Sequence, residues 1–564
     1  MEINNYRFEI IKDLDGLRSF CNKNSWAFFE QFDEIFRLYG FPINSITMVI
    51  DEYYIDAAYR DLYYHYWSSF HFDWKRYCKR IFLFSSIHKE EEFLYDDSED
   101  NILNNDFLGI ITIRPSYSGE PDHTFGRTLL NPYKMIKYDG DGNSYCPYRY
   151  IITTEYEVNL FCNTFKFSAF AFSSQDGVAM KCAETAIYVL CEQFATSSPL
   201  YARKLPSDIQ EKLYSRLSER VLPSHGMIGD DISYLLREFG FSTIMNGTSE
   251  ETDKTYFIAG ESIKDECMID HETNLENWLY YYVESGFPVL MVVSPNQEVN
   301  KHAILGIGHS IDTLQLNECR IYHIGKLPFI DTSELYKRYI VQDDNQIPYR
   351  EELMNQFTQK KNCKLDAIIV PLDRHIYLDA PSAVTIFDTW LNSQDIAISS
   401  SIVIIKQKAI EALKQINEYD EELRTDFENE LSQLINGMEV SEDNPIVIRY
   451  CLANSSSYKK HRISNTYSEQ EKVFYAGILM PKYVWLCQLS TYHCYEQGIL
   501  FAEVVLDATA SSMAKMNSII ISRISNKATY RMPNEEYEMF EKRLNDVDSN
   551  NNLPHVFYSY SNFV

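Results

Sequence analysis

Cys182 is the residue of this sequence best placed to act as a nucleophile. Apolar residues recur at helical spacing through Cys182–Phe194, which predicts an amphipathic helix that the cysteine opens. The positive end of a helix dipole lowers the pKa of a thiol placed there and so favours the thiolate, the nucleophilic form. The position of Cys182 therefore indicates nucleophilic catalysis.

Three further elements of a catalytic site surround this cysteine in the chain. Gln175 lies seven residues before Cys182, and its amide is of the kind that stabilises a developing oxyanion. His302, 120 residues after Cys182, begins the apolar run HAILGIG and is a candidate general base and acid. The run RYIVQ ends in Asp343 and Asp344, either of which could orient an imidazole, and we favour Asp343 as the first acidic residue after the run.

Each of these residues also has a purely structural explanation. Cysteine is among the most buried residue types, a histidine at a strand edge is common, and Asp-Asp-Asn after a strand is typical of a turn. Their occurrence together, in an order that a thiol hydrolase requires, favours the catalytic interpretation.

The order of glutamine, helix-opening cysteine, HAxxxxG and aspartate after the next strand resembles that of papain-like cysteine peptidases. Within that group it is most similar to the bacterial peptidases that cleave after double-glycine leaders, which process bacteriocins, and to their uncharacterised relatives. The amphipathic segment Gly229–Phe241 fits too, because such enzymes follow the nucleophile helix with a helix of that kind. The family usually places its glutamine six residues before the cysteine, where this chain has seven.

The resemblance implies a papain-like fold over roughly 200 of the 564 residues, a Cys-His-Asp triad and a thioester intermediate. It makes Cys182 the nucleophile, Gln175 the oxyanion donor, His302 the base and Asp343 the orienting residue, with Asp344 as the alternative. The expected substrate is a protein or peptide, a regulatory protein partner is a further possibility, and no cofactor or metal is expected.

The elements that must position these residues follow from the hydrophobic pattern. Gly229–Phe241 predicts a helix, with Gly240 where a C-terminal glycine belongs. The runs FPVLMVVS, HAILGIGHS and YIVQDD predict short neighbouring strands. Tyr54–Phe84 predicts one or two helices, and Ile402–Ile435 a long helix or helix pair. Helices followed by strands favour an α+β fold, in which the helix that bears the cysteine packs on an antiparallel sheet that carries His and Asp.

Changes in composition divide the chain into three successive regions. Residues 1–165 form an aromatic-rich mixed α/β region, 166–378 the papain-like peptidase-like domain, and 379–564 a C-terminal α+β domain. The flanking regions would select the substrate or partner.

Composition and charge limit the classes of function. The chain has 52 Lys+Arg against 81 Asp+Glu, a net charge of −29, which argues against nucleic acid binding because phosphate neutralisation needs basic surface. No apolar run approaches the roughly 20 residues that span a bilayer, so membrane insertion is not expected. The start shows no secretory signal, and twelve scattered cysteines without CxxC fit reduced thiols, which together favour a cytoplasmic location. No zinc, Walker or dinucleotide motif is present.

Two alternatives to peptide hydrolysis stay open. The same machinery serves acyl transfer to an amine. A papain-like scaffold without catalytic activity could instead serve as a protein-interaction module, which the Gln–Cys spacing and the large aromatic N-terminal region would fit.

Overall fold

The protein has a mixed α+β architecture with several antiparallel sheets, as seen in a computed structural model. The structure describes residues 5–24, 26, 28–69, 74–95, 102–115, 125–138, 142–217, 221–247, 257–258, 261–262, 274–294, 301–310, 315–353, 364–415, 421–466, 468–531, 539–544 and 556–560. Within these residues, no helix combines the length and the hydropathy that crossing a membrane requires.

The chain forms two compact units. Unit 1 comprises residues 1–248, 287–312 and 338–372, and unit 2 comprises residues 249–286, 313–337 and 373–564. The two units are thus interleaved along the chain, whereas the sequence predicts three successive regions; that division stays a prediction.

Unit 1 begins with a five-stranded antiparallel sheet in the order β1-β2-β3-β4-β5. Its strands are β1 (Tyr6–Ile11), β2 (Ile46–Tyr54), β3 (Cys78–Ser85), β4 (Phe107–Ile113) and β5 (Leu129–Leu130). Gly109 in β4 has a φ of +137°, and a Cβ there would lie 2.2 Å from the backbone oxygen of Leu129. The close approach of β5 to β4 therefore requires glycine at this position. Two hairpins follow, formed by β6 (Lys137–Tyr138) with β7 (Ser144–Tyr145) and by β9 (Thr154–Leu160) with β10 (Asn163–Ala169).

A second antiparallel sheet of unit 1 has the order β11-β20-β14-β15-β18-β19, with β8 also paired to β15. These strands are β8 (Tyr148–Ile151), β11 (Ser242–Gly247), β14 (Val289–Ser294), β15 (His302–Ser310), β18 (Arg338–Gln342), β19 (Arg350–Leu353) and β20 (Lys364–Leu372). The strands β14, β15 and β18 are the three that the hydrophobic runs predict, and they are neighbours as expected.

The described residues of unit 1 also form α-helices. They are α1 (Leu14–Lys23), α2 (Phe29–Arg37), α3 (Ala57–His65), α4 (Ile102–Asp106), α5 (Cys182–Ser197), α6 (Pro206–Arg216) and α7 (Gly229–Glu238). α5 begins at Cys182 as predicted and packs against β15, and it is buried along most of its length. Gly240 follows α7 with a φ of +99°, the left-handed conformation that glycine adopts after a helix.

The helical prediction for Tyr54–Phe84 is wrong in its second half. The described residues there form α3 and a short 3₁₀ turn at Trp67–Ser69, and then β3 in the centre of the first sheet. The run Ile81–Phe84 is completely buried between β2 and β4. A short apolar run fits a helix or a buried strand equally well by its pattern, and here pairing on both edges determines the outcome.

Unit 2 is built on an eight-stranded sheet in the order β16-β17-β21-β22-β24-β25-β26-β27, in which only the β17–β21 pair is parallel among the described strands. Its strands are β16 (Tyr322–Ile324), β17 (Leu327–Asp331), β21 (Ile446–Asn454), β22 (Tyr483–Thr491), β24 (Ala502–Asp507), β25 (Ile519–Ile524), β26 (Lys527–Arg531) and β27 (Met539–Arg543). Two small pairs are formed by β12 (Phe257–Ile258) with β13 (Glu261–Ser262) and by β23 (Ile499–Leu500) with β28 (Phe557–Tyr558).

The helices of unit 2 are α8 (Asn274–Glu284), α9 (Thr332–Leu335), α10 (Ala380–Ser393), α11 (Asp395–Gln415), α12 (Glu421–Gly437), α13 (Ser455–Ser464), α14 (Glu469–Gly477) and α15 (Tyr492–Tyr495). α11 and α12 form the helix pair predicted over Ile402–Ile435.

Candidate active site

The turn before α5 holds the start of the helix in place. One carboxylate oxygen of Asp176 accepts hydrogen bonds from the backbone N–H groups of Val178, Ala179 and Met180, at 2.9, 2.7 and 2.8 Å. Gly177 has a φ of +72°, which side-chain-bearing residues adopt only with strain. This tight turn fixes the direction in which the chain enters the helix at Cys182.

Strand register places the histidine and the aspartates at one edge of the sheet. β15 and β18 are antiparallel neighbours in which Leu305 pairs with Gln342. His302 is the first residue of β15, and Asp343 directly follows the last residue of β18. Because one strand begins where its neighbour ends, both side chains lie at the same edge, beside the start of α5.

Asp343 is the aspartate that hydrogen-bonds the histidine. The Nε2 atom of His302 lies 2.8 Å from Oδ1 of Asp343 and 3.6 Å from Oδ1 of Asp344. The backbone N–H of Asn345 donates to the same Asp343 oxygen at 3.0 Å, which fixes the carboxylate. Only the Asp343 distance is a hydrogen bond, so this residue is the one that orients the ring.

Cys182 and His302 interact directly. Burial lowers the pKa of His302, but its hydrogen bonds with Asp343 and Cys182 and the charges of both aspartates outweigh burial and raise that pKa to about 11. Near neutral pH the ring is therefore an imidazolium beside the thiol. Cys182 is a free, half-buried thiol, so a reagent or substrate can reach it.

Gln175 reaches the same cluster through Asn345. Its Nε2 atom donates to Oδ1 of Asn345 at 2.5 Å, and Nδ2 of Asn345 lies 3.5 Å from Nε2 of His302. The structure therefore brings Gln175 to the site, although its described hydrogen bond is to a side chain of the site. Sequence reasoning missed Asn345, since Asp-Asp-Asn after a strand also describes an ordinary turn.

Asp344 differs sharply from its neighbour. Its side chain is buried, and neither carboxylate oxygen has a hydrogen-bond partner among the described residues. Burial is the main cause that raises the pKa of this carboxyl to about 7; the charge of His302 opposes the rise and that of Asp343 adds to it. Asp344 also lines a small cavity with Cys182. Asp344 is therefore placed to affect the Cys182–His302 pair without orienting the imidazole ring of His302.

The same side chains are close enough to hold a metal ion. His302, Asp343 and Asp344 each offer one ligand atom, and these atoms all lie within 4.8 Å of one another. Histidine and carboxylate ligands suit zinc and other divalent transition metals. An ion bound through Nε2 would have to break the hydrogen bond between His302 and Asp343, so metal binding and orientation of the ring would compete.

A comparison of the chain with models of known protein families found no family that matches. A comparison with curated proteins likewise found no match. The geometry of the site is therefore the basis on which function can be inferred.

Proposed function

We propose that the protein is a cysteine hydrolase, most plainly a peptidase, in which unit 1 supplies a papain-like site. The observation that carries this proposal is the continuous contact from the Cys182 thiol through the His302 ring to the Asp343 carboxylate. A half-buried, oriented imidazole next to a reachable thiol at a helix start is the arrangement that nucleophilic catalysis needs.

The reaction would proceed in two acyl-transfer steps. The Cys182 thiolate attacks the carbonyl carbon of a peptide bond, and the electron pair of the carbonyl moves to its oxygen. When the C–N bond breaks, the His302 imidazolium donates its proton to the leaving amine, which leaves a thioester on Cys182. Neutral His302 then takes a proton from water, whose oxygen attacks the thioester, and the thiolate returns as the acid is released.

Asp343 would act throughout by holding the ring and stabilising its positive charge. Gln175 would contribute an amide N–H to the oxyanion, since an amide nitrogen carries two hydrogens and its bond to Asn345 uses one of them.

Selective alkylation tests whether Cys182 is activated. We expect iodoacetamide at limiting concentration to label Cys182 before the other cysteines, as located by mass spectrometry of peptides. Cys162 is an internal control, because it is a free cysteine that is exposed, yet it lies in the turn of the β9–β10 hairpin. His302→Ala should suppress labelling of Cys182 and leave that of Cys162 unchanged. Equal rates that do not respond to His302→Ala would contradict the proposal and favour a binding scaffold.

Cleavage itself needs a second experiment. A cell extract incubated with the wild-type chain should gain new peptide N-termini that are absent with Cys182→Ala. Amide products formed with an added amine, in place of free carboxylic acids, would assign the same site to acyl transfer.

A further inference from the structure

Three polar groups that lack a hydrogen-bond partner among the described residues face a small cavity behind Cys182. The cavity measures ≈ 10 Å³ and lies between α5 and the strands β15 and β18. Asp344, Thr185 and Gln342 are among the residues that line it, and their side chains are buried, with exposed fractions of 6%, 1% and 5%. Both carboxyl oxygens of Asp344, Oγ1 of Thr185 and Nε2 of Gln342 have no hydrogen-bond partner among the described residues.

Leaving these groups unpaired would be costly. A buried polar atom without a hydrogen bond loses its hydration with no interaction in return, and the cost is higher for a charged one. Native proteins satisfy such groups with protein atoms or with ordered water. Apolar side chains make up most of the remaining wall of the cavity: Phe172, Ala186, Val189, Ala303 and Leu305. The polar groups must therefore find their partner inside the cavity.

We propose that Asp344, Thr185 and Gln342 form a binding site for one buried water molecule directly behind Cys182 and beside His302. The size fits, because a cavity of at least about 10–15 Å³ can hold one water molecule. The number of polar groups fits too, because a buried water molecule needs two to four polar partners. The chemistry fits as well. The Nε2 of Gln342 can only donate, a carboxylate accepts, and the hydroxyl of Thr185 does either, so a water molecule can pair with all three.

Other small occupants fit less well. A cation would be repelled by the donor Nε2 of Gln342, and an anion would meet the carboxyl of Asp344. A carboxylate accepts hydrogen bonds and a protonated carboxyl can also donate one, and water complements both forms.

Such a water molecule would connect the nucleophile helix to the end of β18. It would link Thr185 on α5 to Asp344, which lies 3.6 Å from His302. Thr185 would then be a positioning residue that acts on the Cys182–His302 pair through water. This consequence depends on the proposed function, whereas the water site itself does not.

A crystal structure of the full chain that resolves ordered water tests the site. We expect one water molecule within about 3.2 Å of a carboxyl oxygen of Asp344, of Oγ1 of Thr185 and of Nε2 of Gln342. Thr185→Val keeps the shape of the side chain and removes its hydroxyl, so the water should be lost or displaced; Thr185→Ser keeps the hydroxyl and should retain it. An empty cavity in the wild type, or an unchanged water in Thr185→Val, would overturn the proposal.

Alkylation of Cys182 gives the second readout. Thr185→Val should slow the reaction several-fold relative to wild type, and Thr185→Ser should restore the wild-type rate. Equal rates in the two variants would refute the positioning role. The crystal structure reports the water without any catalysis, so a water that is present while all cysteines label uniformly would mean that only the proposed function has failed.

Discussion

Asp343 and Asp344 are adjacent in the chain and yet have different environments. Asp343 hydrogen-bonds the ring of His302 and is itself held by a backbone N–H, whereas Asp344 turns into an apolar wall. Neighbouring residues at a strand end point to opposite sides, so a pair of this kind can supply one acid to the ring and one to the interior. The role of each aspartate therefore depends on the side of the chain on which its carboxylate lies.

Replacing Asp343 should weaken the site more than replacing Asp344. Asp343→Asn keeps the shape but removes the charge that stabilises the imidazolium, so we expect alkylation of Cys182 and any peptide cleavage to slow by about 10²- to 10⁴-fold. Asp344→Asn mimics a neutral carboxyl and should have a clearly smaller effect near pH 6. Rate constants for both variants, measured in parallel, check this order, and the reverse order would assign the orienting role to Asp344.

The pH dependence of alkylation should report the charge of His302. Its pKa is raised to about 11, so the imidazolium that stabilises the thiolate persists until the pH approaches that value. We therefore expect the rate for Cys182 to vary little between about pH 7 and 9, where the rate for a free thiol in N-acetylcysteine rises through a pKa of about 8.5. A Cys182 profile that parallels the free thiol would show that no such pair exists.

At the scale of elements, the turn that precedes α5 determines where the nucleophile is placed. Asp176 accepts hydrogen bonds from three consecutive backbone N–H groups of the turn. Glu184 accepts a hydrogen bond from the backbone N–H of Lys181, the residue before the helix. Carboxylates thus satisfy the amides of the turn and that of the residue before the helix, and the helix dipole favours the negative charge of Glu184 in the first turn.

Removing this carboxylate should destabilise the turn. Asp176→Ala leaves three backbone N–H groups without their acceptor, so we expect the free energy of unfolding to fall by roughly 2–3 kcal/mol, measured with urea. Asp176→Asn keeps an acceptor oxygen in the same place and should recover most of the loss. If the alanine and asparagine variants unfold alike, the hydrogen bonds to this oxygen contribute little.

At the scale of the whole molecule, several buried carboxyls hold protons longer than they would in an unfolded chain. In unit 2, the half-buried Asp331 and the buried Asp388 lie among tyrosines, and desolvation is the main cause that raises their pKa values to about 6 and about 7. The hydroxyl of Tyr281 donates to Asp331 at 2.5 Å, which partly opposes that rise. These two carboxyls therefore change charge at about pH 6 and about pH 7, in a chain whose net charge is −29.

Stability should therefore decrease as the pH rises from about 4 to about 7. An unfolded aspartate loses its proton near pH 4, whereas folded Asp331 and Asp388 keep theirs until about pH 6 and 7, so over this range the folded state binds more protons. Urea unfolding at pH 4.5, 6 and 7.5 measures the slope, and Asp388→Asn should reduce it. A free energy of unfolding that increases across this range would contradict the assignment.

Sequence reasoning predicted those parts of the site that depend on local pattern. The start of α5 at Cys182 follows from apolar spacing, and the runs that become β14, β15 and β18 are recognisable by their β-branched residues. The helical prediction for Tyr54–Phe84 failed in its second half because aromatic residues suit both helix and strand. Only pairing with β2 and β4 makes Cys78–Ser85 a strand.

Contacts between distant residues were beyond such reasoning. The spacing of residues along the chain predicts neither the hydrogen bond from Gln175 to Asn345 nor the cavity that Thr185 shares with Asp344. Both depend on the register between β15 and β18, which becomes known only once the strands are paired.

The interleaving of the two units has a consequence for how the protein is made. Cys182 leaves the ribosome 120 residues before His302, and the chain enters unit 2 and returns to unit 1 in between. At about 5–20 residues per second, His302 is synthesised on the order of ten seconds after Cys182, and the strand that ends before Asp343 is synthesised later still. Expression of residues 1–248 alone would yield a thiol without either partner. The proposed activity would thus begin only late in synthesis.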